Sequence, residues 1–311
     1  MDIKNKTVTI VVPIYNEEKN IEYFCMEVFK VMNLLPYTYE ILFIDDGSKD
    51  LSREILIRLE KEYPNVQAIF LARNYGHQIA LTCGLEHADS DAVITMDGDM
   101  QHPPSLLPLL LSKWEEGFNV VQTIRDTTQG VSFFKILTSR FYYKLLNFIS
   151  DVPVHAGGSD FRLMDKRTVL AFRQYHEHDK FIRGLVSAMG FNQTTINFVA
   201  PKRFAGHSKF SLKKMLNFAL DGILAYSTMP LRMAFYFGLL CGLFSIILSL
   251  HVLYETFNNN VVPGWATITI AISFFGGLNL IFIGVVGEYI ARIFREIKNR
   301  PLYFIEKNKR G

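Results

Sequence analysis

Cysteine is scarce in this chain. Cys25, Cys83 and Cys241 stand far apart, with no C-x-x-C pair and no even-numbered framework. A disulfide scaffold is thereby excluded, and the three thiols suit a reducing compartment as small packing residues. Charge of one sign is also lacking: a formal net charge of +3 over 311 residues is too small to point to nucleic acid. No signal peptide is evident, because Met1–Lys6 runs straight into a strand-like stretch. Internal repeats and low-complexity tracts are absent, which excludes solenoids and disordered arrays. What the chain has in excess is apolar residues, concentrated towards its C-terminal end. Its length allows one large domain or two ordinary ones.

The first 125 residues alternate apolar runs with helical patterns. Thr7–Pro13, Tyr39–Ile44, Val66–Ala72, Ala92–Met96 and Val120–Ile124 read as strands. Helices are expected over Lys19–Leu34, from Asp50 or Ser52 (either of which offers a cap) to Tyr63, up to His87, and over Pro104–Glu116. Continuous apolar strands between helices predict an α/β domain whose parallel sheet is covered on both faces. Each strand ends in polar residues: Asn16/Glu17, Asp45/Asp46, Arg73/Asn74, Asp97/Asp99 and Arg125. Ligands of such sheets bind beyond the carboxyl ends of the strands, so the alignment predicts one binding edge.

Within that edge, Asp97-Gly98-Asp99 sets two carboxylates one residue apart on a turn. Oxygen ligands of this kind suit Mg²⁺ or Mn²⁺, which keep positions open for phosphate oxygens; the bland alternative is a solvated acidic turn. Further on, Gly157-Gly158-Ser159-Asp160 is compatible with a tight turn that delivers Asp160 into a cleft. Arg203, His207 and Lys209 around Gly206 form either an anion-binding loop or a plain basic turn. Ser132–Ile149 interleaves aromatics with Lys135, Arg140 and Lys144, as expected of a helix near lipid or of an ordinary amphipathic core helix. Ser211–Tyr226 has helical apolar spacing and is expected to lie at an interface.

Met233–Tyr254 and Val261–Gly287 contain no Asp, Glu, Lys or Arg, and each is long enough to cross a hydrocarbon core of roughly 30 Å. The link between them has no Lys or Arg, whereas Arg292, Arg295, Lys298, Arg300, Lys307, Lys309 and Arg310 follow the second run. The positive-inside rule then predicts a helical hairpin with both termini and the α/β domain in the cytoplasm. A metal-bearing α/β domain beside a membrane points to group transfer from a soluble nucleotide-activated donor to a lipid acceptor.

Val12-Pro13-Ile14-Tyr15-Asn16-Glu17-Glu18, Asp45-Asp46-Gly47-Ser48, Arg73-Asn74-Tyr75-Gly76, Asp97-Gly98-Asp99-Met100-Gln101-His102-Pro103-Pro104 and Asp160-Phe161-Arg162-Leu163-Met164 together resemble the family-2 inverting glycosyltransferases. Within these the chain is similar to the bacterial polyprenyl-phosphate glycosyltransferases, of the GtrB and dolichyl-phosphate mannose synthase kind. The resemblance spans nearly the whole chain and includes the Arg203–Lys209 loop and the tail Glu288-Tyr289-Ile290-Ala291-Arg292. It implies a GT-A (Rossmann-like) catalytic domain over 1–210, an interfacial helix over 211–229, a transmembrane hairpin over 230–290 and a basic cytoplasmic tail over 291–311. It also implies a multi-pass enzyme of the bacterial inner membrane that transfers a hexose, glucose first, from a UDP-sugar to polyprenyl phosphate. Aminoarabinose-type, mannose and N-acetylhexosamine donors stand behind glucose.

By the same resemblance Pro13, Tyr15 and Glu17 border the nucleoside, Asp46 binds its base, and Asp97 contacts the nucleotide-sugar. Asp97, Asp99 and Gln101 ligate the metal. Arg125, Arg203 and Lys209 serve the acceptor phosphate and donor diphosphate. Asp160 takes the place of a catalytic base, although an ionised phosphate needs little deprotonation, so a positioning role stays open. Arg162 belongs to the donor site or braces Asp160, and Arg73 is expected to pair with the neighbouring acids. A homotetramer, a flippase and a second glycosyltransferase are the implied associates. Two rivals remain. A processive synthase would need a later Gln-x-x-Arg-Trp, whereas Gln122-Thr-Ile-Arg125 lies early and runs into Asp126. A non-catalytic nucleotide-binding accessory protein is the other.

Overall fold

A computed structural model describes residues 6–125, 158–178, 180, 182–199, 229–258 and 264–308. The segments read as a lipid-facing helix (132–149), an anion loop (203–210) and an interfacial helix (211–226) lie outside these residues, and Arg203, His207 and Lys209 with them.

The chain opens with β1 (Thr7–Ile14), α1 (Ile21–Met32), β2 (Thr38–Asp45), α2 (Ser52–Glu62), β3 (Val66–Leu71), α3 (His77–His87) and β4 (Ala92–Thr95). A 3₁₀ turn at Pro104–Leu106 leads into α4 (Leu107–Glu115), followed by β5 (Val120–Arg125). Then come β6 (Gly158–Asp165), α5 (Lys166–Phe172), α6 (Ile182–Ala188) and β7 (Gln193–Phe198). Two long helices, α7 (Met229–Phe257) and α8 (Trp265–Ile297), precede β8 (Ile305–Asn308).

Sequence periodicity explains the layers. In β1, Val8, Ile10, Val12 and Ile14 enter one core, while Val11 enters the other. The first core is closed by α1, α2 and α4, where Ile21, Phe24, Cys25, Val28 and Met32 follow a helical stripe. The second is closed by α3, α5 and α6. A strand covered on both faces has no polar side, which is why β1, β2 and β4 read as continuous apolar runs. The approach of α3 to the sheet is close enough that a Cβ at Gly84 would collide with Val11.

The eight strands lie in the order β7-β5-β6-β4-β1-β2-β3-β8. The sheet is mixed, which corrects the wholly parallel expectation. The strand β6 runs antiparallel to both β4 and β5, and β8 antiparallel to β3. The turn expected at Asp160 is also corrected, since Asp160 sits within β6. Phe161 and Leu163 face the first core and Met164 the second, so β6 alternates with period 2. Charged Asp160 and Arg162 interrupt the apolar run and hide the strand from a hydropathy reading.

A third correction concerns α2, whose N-cap is Leu51. Ser52 Oγ accepts the Glu17 N–H at 3.0 Å, and Asp50 accepts from Glu18 at 3.2 Å as well as from Ser52 at 3.0 Å. These side chains tie the loop after β2 to the loop after β1.

The described residues 229–258 and 264–300 belong to a second compact unit, and residues 301–308 to the unit that contains the sheet. In the smaller unit α7 and α8 touch through Phe237 and Phe282, with ring centroids 6.2 Å apart. Phe235, Leu240, Leu243, Leu280 and Ile283 are exposed. Among the described residues, Phe274–Ile297 is long and apolar enough to cross a membrane, whereas Leu231–Ile247 is a shorter apolar helix. The two-span expectation is thus met by one helix on this test.

After α8 the chain lays β8 along the edge of the sheet, antiparallel to β3. The Phe304 carbonyl accepts the Ala72 N–H, Tyr303 donates to Glu86 at 2.6 Å, and Arg53 meets Glu306 through two bonds of 2.9 and 3.0 Å. A paired edge is protected from pairing with other chains. The Arg53–Glu306 pair is solvent-exposed and screened, so it contributes little to stability. Tyr303 packs against the second core, and truncating it removes contacts worth about 2–4 kcal/mol. Thermal unfolding should therefore show a clearly larger loss for Tyr303→Ala than for Glu306→Gln; equal losses would mean that the ion pair holds the edge.

Candidate active site

The register brings the site together. Ile14 pairs with Asp45 and Val11 with Thr95, so β1, β2 and β4 end at one edge. Because β6 is antiparallel and pairs Thr95 with Arg162, Asp160 emerges beside the loop that follows β4. Thr95 Oγ1 donates to the Asp160 carbonyl at 2.5 Å and fixes this junction.

The loops are braced from within. Gly47 has φ +68°, and a Cβ there would lie 2.5 Å from the Arg73 backbone, so only glycine fits. Asp46 is buried, and its carboxylate accepts the N–H groups of Tyr75 (2.7 Å) and Gly76 (2.9 Å) and the Asn74 amide (2.9 Å). Burial raises its pKa, and these hydrogen bonds oppose the rise. Pro13 is buried in β1, while Tyr15 and Glu17 are half-buried on the adjoining loop. Arg73 lies over the Tyr75 ring, 4.4 Å from its centroid, in place of the expected pairing with acids.

The Asp97–Gln101 turn carries Met100 at φ +64°, and Asp99 Oδ1 accepts the Gln101 N–H at 3.1 Å. His102 locks the turn. Its Nδ1 accepts the Asp97 N–H at 2.8 Å, which leaves the ring proton on Nε2, 2.7 Å from Ser159 Oγ. The ring stacks on Phe161. Asp97 Oδ1 is buried and accepts no hydrogen bond, with His77 Nε2 at 3.5 Å. An acceptor oxygen left without a hydrogen bond fits a cation or a donor group on a ligand. Among the described residues no cluster of three or more His, Cys, Asp or Glu side chains surrounds it. Asp97, Asp99 and Gln101 on this turn carry oxygen donors of the type that a hard divalent ion takes. The Gln101 amide oxygen lies 3.5 Å from the Arg125 guanidinium, whose Nε is buried without a hydrogen bond.

Asp160 is surrounded by donors. Oδ1 accepts from Arg162 and from Arg183 Nε, both at 3.0 Å; Oδ2 accepts from Arg183 at 3.0 Å and Gln78 at 3.3 Å. His77 Nε2 lies 3.6 Å from Oδ2. Burial alone would raise the Asp160 pKa, but Arg183, His77 and Arg162 outweigh it and hold the carboxyl well below its usual range. Arg162 is 1 % exposed, and burial lowers its pKa to about 10 against the pull of Asp160. Desolvation opposes charge on His77, yet Asp160 and Asp97 raise it to about 9. Protein atoms crowd the His77 ring although 43 % of the side chain stays accessible, which tempers that rise.

The structure therefore brings Asp97, Asp99, Gln101, Arg125, Asp160 and Arg162 to one edge, with Asp46 turned into the neighbouring loop. Residues that sequence reasoning missed are His77, Gln78, Ser159 and Arg183, and it assigned no role to His102. His77 follows the polar end of β3 and was within reach of the strand-end argument. Arg183 carries no motif and reaches Asp160 only through the packing of α6.

This layout is that of a mixed-sheet α/β domain with acidic and basic side chains gathered at one edge of the sheet. Residues 9–171 match the family model described as "Glycosyl transferase family 2". The chain is 40% identical over 301 residues to the uncharacterized glycosyltransferase YkcC of Bacillus subtilis, covering 96% of this chain and 93% of that protein. It is 39% identical over 305 residues to the SfII prophage-derived bactoprenol glucosyl transferase of Shigella flexneri, covering 98% and 99%. A crystal structure of mannosyl-3-phosphoglycerate synthase from Rubrobacter xylanophilus, 18% identical, aligns over 70% of this chain and 71% of that one with a TM-score of 0.49. The chain belongs to glycosyltransferase family 2.

An Asp160 pKa below the unfolded value of about 3.9 means that its stabilising contribution is complete above about pH 4 and fades as pH falls through the folded value. Asp160→Asn removes the anion facing two arginines and should cost about 3–5 kcal/mol near neutral pH. Thermal unfolding followed from about pH 8 to about pH 3 should give a constant gap between wild type and variant that narrows only below about pH 4. A constant gap down to about pH 3 would contradict the ion-pair assignment.

Proposed function

We propose that this glycosyltransferase moves glucose from UDP-glucose to polyprenyl phosphate at the cytoplasmic membrane face, giving a β-linked lipid-phosphate sugar and UDP. The observation that carries this is end-to-end similarity to the bactoprenol glucosyl transferase of Shigella flexneri, since a match over 98% and 99% of the two chains takes in the helices and tail as well as the catalytic domain. In this reaction a phosphate oxygen of the acceptor attacks the anomeric carbon as the bond to the UDP oxygen breaks. Inversion follows from attack opposite the leaving group.

Asp97 and Asp99 would hold a divalent ion, Mg²⁺ or Mn²⁺, with Gln101 as a third ligand that Arg125 also engages. When bound, such an ion neutralises charge that gathers on the departing diphosphate. Pro13, Tyr15 and Glu17 border the nucleoside in this scheme. Asp46 serves it by shaping the Asn74–Gly76 loop, where its carboxylate hydrogen bonds lie. Arg125 and Arg203 supply guanidinium forks, and Lys209 an ammonium, for the two phosphate-bearing substrates. Asp160, held as an anion by four donors, has no free lone pair aimed at a proton, and an ionised acceptor needs none removed. We therefore assign it an electrostatic role beside Arg162.

Connectivity supports a two-span hairpin. The chain leaves the sheet unit before α7 and β8 returns to it, so any membrane crossings must be even in number. With Phe274–Ile297 as one, Leu231–Ile247 is the apolar segment available for the other. A lipid-linked product made on the cytoplasmic face needs a flippase and a second transferase before its sugar reaches an external acceptor.

The test is to incubate purified full-length protein with Mg²⁺, polyprenyl phosphate and a panel of nucleotide-sugars, and to weigh the lipid product. A mass gain of one hexose from UDP-glucose is expected. Asp97→Asn and Asp99→Asn should each lower turnover by at least about 100-fold. Polymer in place of a single addition would indicate a synthase, and no lipid-linked sugar with any donor would overturn the proposal.

A further inference from the structure

Asp160 has more cationic partners than its charge requires. Arg162, on the same strand and 1 % exposed, already neutralises it. Arg183 adds a second guanidinium through a two-point contact, Nε to Oδ1 and Nη2 to Oδ2, each at 3.0 Å. A single-point contact lets a carboxylate swivel, whereas a fork fixes its plane. With the plane fixed, Oδ2 is presented to Gln78 at 3.3 Å and to His77 Nε2 at 3.6 Å. The same His77 nitrogen is 3.5 Å from Asp97 Oδ1, the buried oxygen that accepts no hydrogen bond.

Arg183 is delivered to this point by its own element. Ile182, Leu185 and Val186 sink into the second core. The Ile182 N–H donates to Gln78 Oε1 at 3.4 Å, and its carbonyl accepts from Arg162 at 3.5 Å. The start of α6 is thus tied to both α3 and β6.

We propose that Arg183 is a positioning residue, acting through Asp160 and His77 to hold the Asp97 carboxylate on the donor side of the site. The inference rests on the donor-site reading given above for Asp97. It assigns Arg183 no contact with substrate; its effect reaches the donor along one chain of contacts, from α6 through β6 and α3 to the turn after β4. Members of such a chain act as a unit, so removing one link should cancel the effect of removing another.

A double-mutant cycle tests this on the full-length protein, with two readouts: calorimetric binding of UDP in the presence of Mn²⁺, and turnover with UDP-glucose and polyprenyl phosphate. Arg183→Gln is expected to weaken UDP binding about tenfold in the wild-type background and less than about twofold in an Asp160→Asn background. His77→Asn should show the same non-additivity with Arg183→Gln. Arg183→Lys, which keeps the charge and loses the fork, should restore little binding while unfolding at the wild-type temperature. Equal weakening in both backgrounds, full rescue by lysine, or UDP binding unchanged in Arg183→Gln would each overturn the proposal. Because UDP binding is read without the acceptor, a wild type that binds UDP and makes no lipid-linked glucose would sink the substrate assignment alone.

Discussion

The arrangement depends on one strand running the wrong way. The antiparallel strand β6 lies between β4 and β5 and pairs Thr95 with Arg162, so its first residues lie at the edge where the parallel strands end. Had β6 been parallel, Asp160 would lie at the opposite edge, far from Asp97. Cores on both faces hold the insertion in register, because Phe161 and Leu163 fill one side and Met164 the other. A slip of one residue would send Asp160 and Arg162 into the wrong layer. Burying Arg162 is tolerable only because Asp160 stands beside it, and the cost of that pair is borne by the apolar residues that alternate with it.

From this follows the division of labour at the edge. Asp97 and Asp160 are both carboxylates, yet their surroundings separate them. Asp160 accepts from two arginines and a glutamine, whereas one Asp97 oxygen is buried without a hydrogen bond. The first is already satisfied by protein and the second is left for something else. For transfer to an ionised phosphate this is sufficient chemistry, since the reaction asks for charge stabilisation and alignment more than for proton removal.

Much of this was legible in the sequence where a single physical rule decided the outcome. Double-sided burial makes β1 to β5 conspicuous, and polar residues after each mark the binding edge. What stayed hidden depends on pairing between distant segments. The pattern around Asp160 resembles a turn because charged residues break the apolar run, and only the partners β4 and β5 make it a strand. Arg183 lies 23 residues beyond Asp160, in a short helix with no local signature. Likewise Ile305–Asn308 reads as the end of a basic tail, and the open edge of β3 is what turns it into β8.

The central claim is that Asp160 works as a fixed anion in an ion-pair cluster and takes no proton in the reaction. The most direct measurement is the pH dependence of kcat/KM for wild type and Asp160→Asn, from about pH 5 to about pH 9. The account predicts no acidic limb in the wild type that Asp160→Asn abolishes, because a carboxyl held below its usual range does not titrate in that window. An acidic limb present in the wild type and missing from Asp160→Asn would identify a base and contradict it.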